Sequence, residues 1–294
     1  MKIAIITGAS SGMGRETAIQ LADRLGGLSA VWLIARRRER LDALEEVLTV
    51  PARKFPIDLT NPDDLNTLKQ ALAGEKPDVR ILVNASGYGK IGPVGNISLE
   101  EEAGMVRLNC EALLSVTHLV LPYMGKNSRI IQYASSAAFL PQPGFAVYAA
   151  TKAFVLSYSR ALNEELKGRG IKVTAVCPGP VKTEFFDIAE TTGKIPLYKR
   201  LTMANASRVV RLAIRDSMMG KPVSVYGPVM KTFRLLSKIV PHGIILKAMS
   251  VLSPQTEPPE SKPGAGSRLS SEAPLKDASK APKKTDTYTL SGEA

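Results

Sequence analysis

Thr7-Gly8-Ala9-Ser10-Ser11-Gly12-Met13-Gly14 is the stretch from which the architecture of this 294-residue chain is read. The apolar run Lys2-Ile3-Ala4-Ile5-Ile6 precedes it and reads as a strand; Thr17, Ala18, Ile19 and Leu21 follow and open a helical pattern. Glycines at a strand-to-helix turn permit tight backbone conformations and let the chain approach a pyrophosphate closely. The helix behind them presents unpaired N–H groups to negative charge. A turn of this composition can also be a tight loop without a ligand, so its neighbours have to decide.

Outward from the turn, short apolar runs alternate with helical stretches, the pattern of a parallel sheet with crossover helices. Strands are expected over 2–7, 30–35, 52–57, 80–85, 129–135, 172–177 and 223–226, and the longest helices over 98–123 and 146–167. The strands are almost continuously apolar, as in sheets covered by helices on both faces. The fold class expected is therefore α/β, a doubly wound parallel sheet spanning 1–227. Residues 228–252 read as a basic amphipathic helical extension, a helix pair broken at Pro241. From Ser253 the composition turns to Pro, Ser, Lys, Glu and Ala, which cannot offset its ordering entropy, and 253–294 is expected to be a disordered tail.

Charge is unevenly placed. Between Lys194 and Leu252 stand eleven Lys or Arg and the single acid Asp216, whereas the tail balances six of each sign. Such a region suits anionic partners. Without a recognition motif it is weak support for nucleic acid, and no nucleic-acid partner is expected. The start of the chain shows no secretory pattern, and nowhere do about 18 uncharged apolar residues run together. Cys110 and Cys177 lack metal or redox spacing and read as buried free thiols. A cytoplasmic protein, peripheral to a membrane at most, is the expectation.

Four further segments fall in a telling order: Asp58-Leu59, Asn84-Ala85-Ser86-Gly87, Tyr148-Ala149-Ala150-Thr151-Lys152 and Pro178-Gly179-Pro180-Val181-Lys182-Thr183. With the Thr-Gly-x-x-x-Gly-x-Gly turn they resemble the short-chain dehydrogenase/reductase family from Lys2 to about Tyr226. Asn84–Gly87 shares the first and last residues of that family's Asn-Asn-Ala-Gly and differs at the two between. The resemblance implies a Rossmann fold with a dinucleotide held by Thr7, Gly8, Ser10, Ser11, Gly12, Met13 and Gly14. It implies that Asp58 and Leu59 contact the adenine, that Asn84, Ala85, Ser86 and Gly87 line the site, and that Pro178, Gly179, Val181 and Thr183 form the nicotinamide loop, with Thr183 on the carboxamide.

Cofactor choice follows from charge. An acid ending the second strand would bond ribose hydroxyls and repel a 2′-phosphate. Here Ala35 occupies that place, followed by Arg36, Arg37 and Arg38. A guanidinium matches phosphate geometry. NADP(H) is expected, with Arg36 the first candidate for the phosphate and Arg37 the second; Arg38 reads as the start of a solvated helix face.

Tyr148 and Lys152 stand at i and i+4, one turn apart on one helix face. That spacing lets the ammonium lower the phenol's pKa from about 10 towards the operating pH. Ser135 lies thirteen residues before Tyr148, the separation the family uses, at the expected end of the fifth strand. Ser136 is its rival. By the resemblance, Tyr148 exchanges a proton with a substrate oxygen, Lys152 tunes the phenol and binds the nicotinamide ribose, Ser135 orients the substrate, and Asn109 sustains a water relay behind the lysine. As a bare residue Asn109 reads as a satisfied buried amide. His118 reads as a packed or surface residue, His242 as a turn residue and Trp32 as core. No cluster has metal-ligand spacing, and no metal is expected.

Residues 183–201 should cover the active site, with Phe185, Phe186, Ile188, Ile195, Pro196, Leu197 and Tyr198 forming an apolar wall. That favours a lipophilic substrate, a steroid-like ketone or a fatty-acyl derivative. A reductase of 3-oxoacyl carrier proteins, docking an acidic carrier on the basic region, is the alternative; a non-enzymatic dinucleotide sensor or nucleic-acid binder is the weaker one. The amphipathic stretch 229–252 either packs on the domain or a second subunit, or attaches to anionic lipid. The resemblance also implies a homo-oligomer, of a size nothing in the chain fixes.

Overall fold

The computed structural model describes residues 1–24, 26–185, 189 and 203–252, the last five as backbone alone. The expected tail 253–294, and Phe186, Ile188, Ile195, Pro196, Leu197 and Tyr198 of the expected lid, lie outside the described residues. Seven parallel strands form one sheet in the order β3-β2-β1-β4-β5-β6-β7. They are β1 (Lys2–Thr7), β2 (Ala30–Ile34), β3 (Ala52–Phe55), β4 (Asp78–Asn84), β5 (Arg129–Tyr133), β6 (Lys172–Val176) and the short β7 (Val223–Ser224). Every residue of β2 is buried, as a central strand between two helical layers requires.

Alternation along β1 shows how both faces are filled. Ile3 and Ile5 pack with Trp32, Leu68, Leu72, Val116 and Leu162 on one side. Ala4 and Ile6 pack with Leu21, Leu41, Leu44, Val210 and Ala213 on the other. The first layer is supplied by α3 (Pro62–Glu75), α5 (Leu113–Val120) and α6 (Ala146–Glu165), the second by α1 (Gly12–Arg24), α2 (Arg38–Glu45) and α7 (Ala206–Met218). Trp32, expected in the core, is fully buried and tilted against Phe55 with ring centroids 5.1 Å apart. Two further helices, α8 (Pro228–Ile239) and α9 (His242–Leu252), close the described chain, broken at Pro241 as the sequence predicts. Among the described residues no helix is long and apolar enough to cross a membrane.

The single helix expected over 98–123 is not uniform. α4 (Leu99–Val106) starts at Ser98, whose side chain accepts from the Glu101 N–H, and passes through a π-helical stretch, Arg107–Ala112, into α5. The wider hydrogen-bond ring inserts a residue and re-aims side chains, a feature often met at functional sites. Here it turns Asn109 fully inward.

The sheet order reverses at β1, whose two neighbours are β2 and β4. The chain leaves the ends of β1 and β4 in opposite directions, which opens a crevice at their carboxyl ends. The Thr7 hydroxyl fastens that crevice by accepting from the N–H groups of Ala85 (3.1 Å) and Ser86 (3.2 Å). Gly8 follows at φ +67°, and a Cβ on it would lie 2.8 Å from the Ala85 carbonyl. Left-handed backbone and close approach together make this a position for glycine alone.

Candidate active site

A cavity of about 590 Å³ opens at the crevice. Its floor is the turn from Gly8 through Ser10, Ser11, Gly12, Met13 and Gly14. A Cβ on Gly14 would run into the Gly8 carbonyl, so the helix can begin directly beneath the turn and point its N–H groups into the cavity. One end of the cavity is bounded by Arg36 and Arg37 with Asp58 and Leu59, the middle by Ala85, Ser86 and Gly87, and the other end by Tyr148, Lys152 and Thr183. These features fit an elongated, doubly anionic dinucleotide: a side-chain-free cradle, a helix terminus behind it and guanidinium groups at one end.

Several expected site residues serve the cavity from behind its wall. Thr7 is buried and its hydroxyl is committed to the Ala85 and Ser86 amides. Asn84 points into the core, donating to Thr117 (2.9 Å) and Gln132 (3.0 Å). Pro178 accepts from the Ser136 N–H at 2.8 Å, which ties the loop after β6 to the turn after β5. Gly179 lies under Met230 of α8. Val181 pairs with Ala204 in an isolated bridge.

At the Tyr148 end, three elements converge. α6 carries Tyr148 and Lys152 on its inward face, both buried. Ser135 lies two residues beyond the end of β5 and caps a short 3₁₀ turn, Ser136–Phe139, accepting from the Ala137 N–H at 3.1 Å. Its hydroxyl also lies beside the Tyr148 phenol and favours the phenol's charged form, whereas the Ser136 backbone is engaged by Pro178. Of the two serines, then, Ser135 is the one that meets the tyrosine. The Lys152 ammonium does not reach bulk water; it donates to the Tyr133 carbonyl at 2.9 Å and lies 5.7 Å from the centre of the Tyr148 ring.

Electrostatics here differ from the sequence expectation. Burial pushes the Tyr148 phenol up to about 12, with the Ser135 hydrogen bond opposing it. Burial also pulls the Lys152 ammonium down to about 8, against the neighbouring Cys110 and Cys177 sulfurs. Desolvation dominates at both groups, so the phenol is not acidified by i,i+4 spacing alone. The phenol is neutral through the ordinary pH range, and the lysine is the one of the two whose value falls near it.

Asn109 makes three of the four hydrogen bonds its amide can offer. It accepts from the Tyr88 N–H (3.0 Å) and donates to the Tyr88 carbonyl (2.8 Å) and the Thr151 hydroxyl (3.0 Å). It thereby clamps the segment after Gly87 to α6. A Cβ on Gly87 would lie 2.8 Å from the Asn109 Oδ1 and 3.3 Å from the Lys152 Nζ, so both groups sit immediately behind the cavity wall.

Three contributors were not legible in advance: Phe145, the Tyr133 carbonyl and Glu184. Phe145 stacks on the Tyr148 ring at 4.2 Å, and Phe185, expected in the apolar wall, tilts against the same ring at 5.4 Å. The Tyr133 carbonyl holds the lysine, a backbone role no residue type reveals. Glu184 accepts two bonds from Arg40, at 2.6 and 2.8 Å, and lies 3.6 Å from Arg37. Arg40 and then Arg37 hold the Glu184 carboxyl below the usual carboxylate range. Arg38 is exposed and opens α2, as expected. Cys177 is buried and Cys110 half-buried, both as free thiols. His118 is exposed. Among the described residues no group of metal-ligating side chains forms.

A family model described as short chain dehydrogenase matches residues 2–192. The chain belongs to that family. Sulfoacetaldehyde reductase 2 of Chromohalobacter salexigens is 34% identical over 234 residues, 76% of this chain and 91% of that protein. The very-long-chain 3-oxoacyl-CoA reductase of Pyrenophora tritici-repentis is 33% identical over 220 residues, 71% of this chain and 63% of that one. Among solved structures, a short-chain dehydrogenase from Sphingobium yanoikuyae in complex with NADPH superposes with a TM-score of 0.70 at 29% identity, covering 88% of this chain and 99% of that one. A 3-ketoacyl-(acyl-carrier-protein) reductase from Brucella melitensis complexed with NADH gives a TM-score of 0.66 at 25% identity, covering 76% and 95%.

In this short-chain dehydrogenase the Asn109 clamp carries a stability prediction. Asn109→Ala leaves the part-buried Tyr88 N–H and carbonyl without their Asn109 partner and should lower the unfolding free energy by about 2–4 kcal/mol in urea titrations. A loss below about 0.5 kcal/mol would mean the clamp is not structural.

Proposed function

We propose that this chain is an NADP(H)-dependent oxidoreductase that interconverts a lipophilic ketone and its secondary alcohol. The observation that carries the reading is the meeting of Ser135, Tyr148 and Lys152 at one end of the dinucleotide-shaped cavity. A dinucleotide held by the Gly8–Gly14 turn would supply or accept the hydride. In reduction, the Tyr148 hydroxyl donates its proton to the substrate oxygen while the Ser135 hydroxyl holds that oxygen and stabilises the charge gathering on it. Lys152, fixed by the Tyr133 carbonyl, sets the field at the phenol and faces the ribose side of the cavity. Asn109 positions the lysine's surroundings. A phenol that stays neutral through the ordinary pH range suits the donor role in the reductive direction.

NADP(H) rather than NAD(H) is supported by local charge. No acid ends β2, and the Arg36 guanidinium is largely exposed at the cavity edge, 3.7 Å from Asp58. Arg37 lies beside it, donating to the Ser10 hydroxyl at 3.2 Å. The related structures contain NADPH in one case and NADH in another, so relationship does not choose; the arginines support NADP(H). Arg36→Ala combined with Arg37→Ala should weaken NADPH binding about tenfold or more and leave NADH nearly unchanged in fluorescence titrations. Tighter NADH than NADPH binding by the unaltered protein would overturn the assignment.

The substrate class rests on Phe145 and Phe185, which enclose the Tyr148 ring together with Met105 and Ala137. The relatives' activities run from sulfoacetaldehyde to very-long-chain acyl thioesters, and this aromatic enclosure favours the apolar end of that range. A 3-oxoacyl-carrier-protein reductase is the second reading, favoured by the basic region and by the likeness to the Brucella melitensis enzyme; carrier thioesters outcompeting free ketones would select it. Screening NADPH oxidation against steroids, bulky ketones and acyl thioesters tests the class. Tyr148→Phe should abolish turnover with every substrate yet bind NADPH within about twofold of the unaltered protein. Turnover retained by that variant sinks the mechanism.

The pH dependence has a definite sign. The phenol, near 12, stays protonated throughout, whereas Lys152, depressed to about 8, is charged below that value and neutral above it. For reduction, kcat/KM should be level below about pH 8 and fall tenfold per pH unit above it, where the ammonium is lost. A profile level to pH 10 would show that the charge on Lys152 is not required.

A further inference from the structure

Helix α8 is apolar on two opposite sides, and only one of them is packed. Inward, Met230 reaches the Gly179 loop, Phe233 meets Phe139 with ring centroids 6.3 Å apart, and Ser237 is buried. Outward, Val229, Leu235, Leu236 and Ile239 stand 59, 57, 49 and 68% exposed, and Ile244 at the start of α9 is 60% exposed. At 3.6 residues per turn, Val229 and Leu236 share one column, Leu235 and Ile239 the next, and Lys231 and Lys238 a third alongside them. A surface helix that faced only water would carry polar residues on that side. The turn into α9 is held, with the His242 Nε2 3.2 Å from the Ser237 carbonyl oxygen, so Ile244 and Lys247 follow at a fixed place.

Charge narrows what can cover this side. From Ser217 to Thr256 the chain contains no Asp or Glu, while Lys221, Lys231, Arg234, Lys238 and Lys247 are all basic. A second copy docked by two-fold symmetry would set these cations against themselves. The chain's own residues 253–294 offer Leu269, Leu275, Tyr288 and Leu290 as their only large apolar side chains, widely spaced, and so no continuous apolar face. What fits apolar columns bordered by lysines is a surface with phosphate outside and hydrocarbon within.

We propose that α8 and the first turn of α9 attach this protein in the plane of an anionic lipid bilayer, with Leu235, Leu236, Ile239 and Ile244 entering the acyl boundary and Lys231 and Lys238 meeting headgroup phosphates. The attachment is independent of the catalytic reading, and its test does not use turnover. The full chain is sedimented with vesicles of phosphatidylcholine alone and of phosphatidylcholine with phosphatidylserine, at low and high salt. The expected result is partition into the anionic vesicles about tenfold or more above the neutral ones, weakened by salt. Lys231→Gln with Lys238→Gln should remove about fivefold per lysine, and Leu235→Ser with Ile239→Ser should abolish binding even to anionic vesicles. All four positions point away from the domain, and unchanged thermal melts and NADPH titrations would show that the variants fold. Equal binding to both vesicle types, no binding, or unaltered binding by either variant would overturn the proposal. So would capture by an acidic carrier protein without vesicle binding, or a dimer that dissociates in the Leu235→Ser, Ile239→Ser variant.

Discussion

The arrangement of this protein depends on burying one ammonium group. Lys152 is nearly inaccessible, and an unpaired charge removed from water costs several kcal/mol unless acceptors replace the solvent. The Tyr133 carbonyl at 2.9 Å supplies that replacement, and it can do so because β5 ends where it does. Had β5 run on to residue 135, as the apolar run suggests, the carbonyl would be engaged in the ladder and Ser135 would be held in the sheet. The strand instead stops at Tyr133, leaving its carbonyl for the lysine and the next two residues to swing Ser135 over Tyr148. A strand end two residues early thus sets the lysine's partner and the serine's position together.

The same burial settles what each ionisable group can do. Enclosure by Phe145 and Phe185 desolvates the phenol, and enclosure by α6 and β5 desolvates the ammonium, so each is pushed towards neutrality. Spacing on a helix brings two groups together but does not set the dielectric around them, and the dielectric decides which way a pKa moves. This is why Tyr148 and Lys152 were legible in the sequence as a pair while the direction of the phenol's shift was not.

Legibility followed the range of the interactions involved. The strands were readable because each apolar run reports its own burial, and the glycine turn because Gly8 and Gly14 answer local steric demands. The Arg36 and Arg37 pair could be placed from the strand end alone. Glu184 could not: its partner Arg40 is 144 residues away, and nothing local distinguishes it from a solvated acid. The π-helical stretch was hidden for a related reason. Arg107-Leu108-Asn109-Cys110-Glu111-Ala112 has an ordinary helical composition, and only the packing of Asn109 against Tyr88 and Thr151 reveals that the helix has been widened to turn that amide inward.

Gly179 shows how a motif residue can acquire a second reason in a particular chain. The sequence places Gly179 in the loop after β6 expected to hold a nicotinamide, where a glycine would let the backbone pass close. From the opposite side, Met230 presses on the same residue, and a Cβ there would lie 2.7 Å from its sulfur. Any larger residue at 179 would have to displace the first turn of α8 or move the loop into the cavity. Helix α8 also packs Phe233 on Phe139, in the turn that follows Ser135. The extension after β7 is therefore not an appendage hung on a finished domain. Its inner face supports the two loops that carry Ser135 and Thr183, and this mechanical duty is what holds its outer apolar face at a fixed angle to the rest of the molecule.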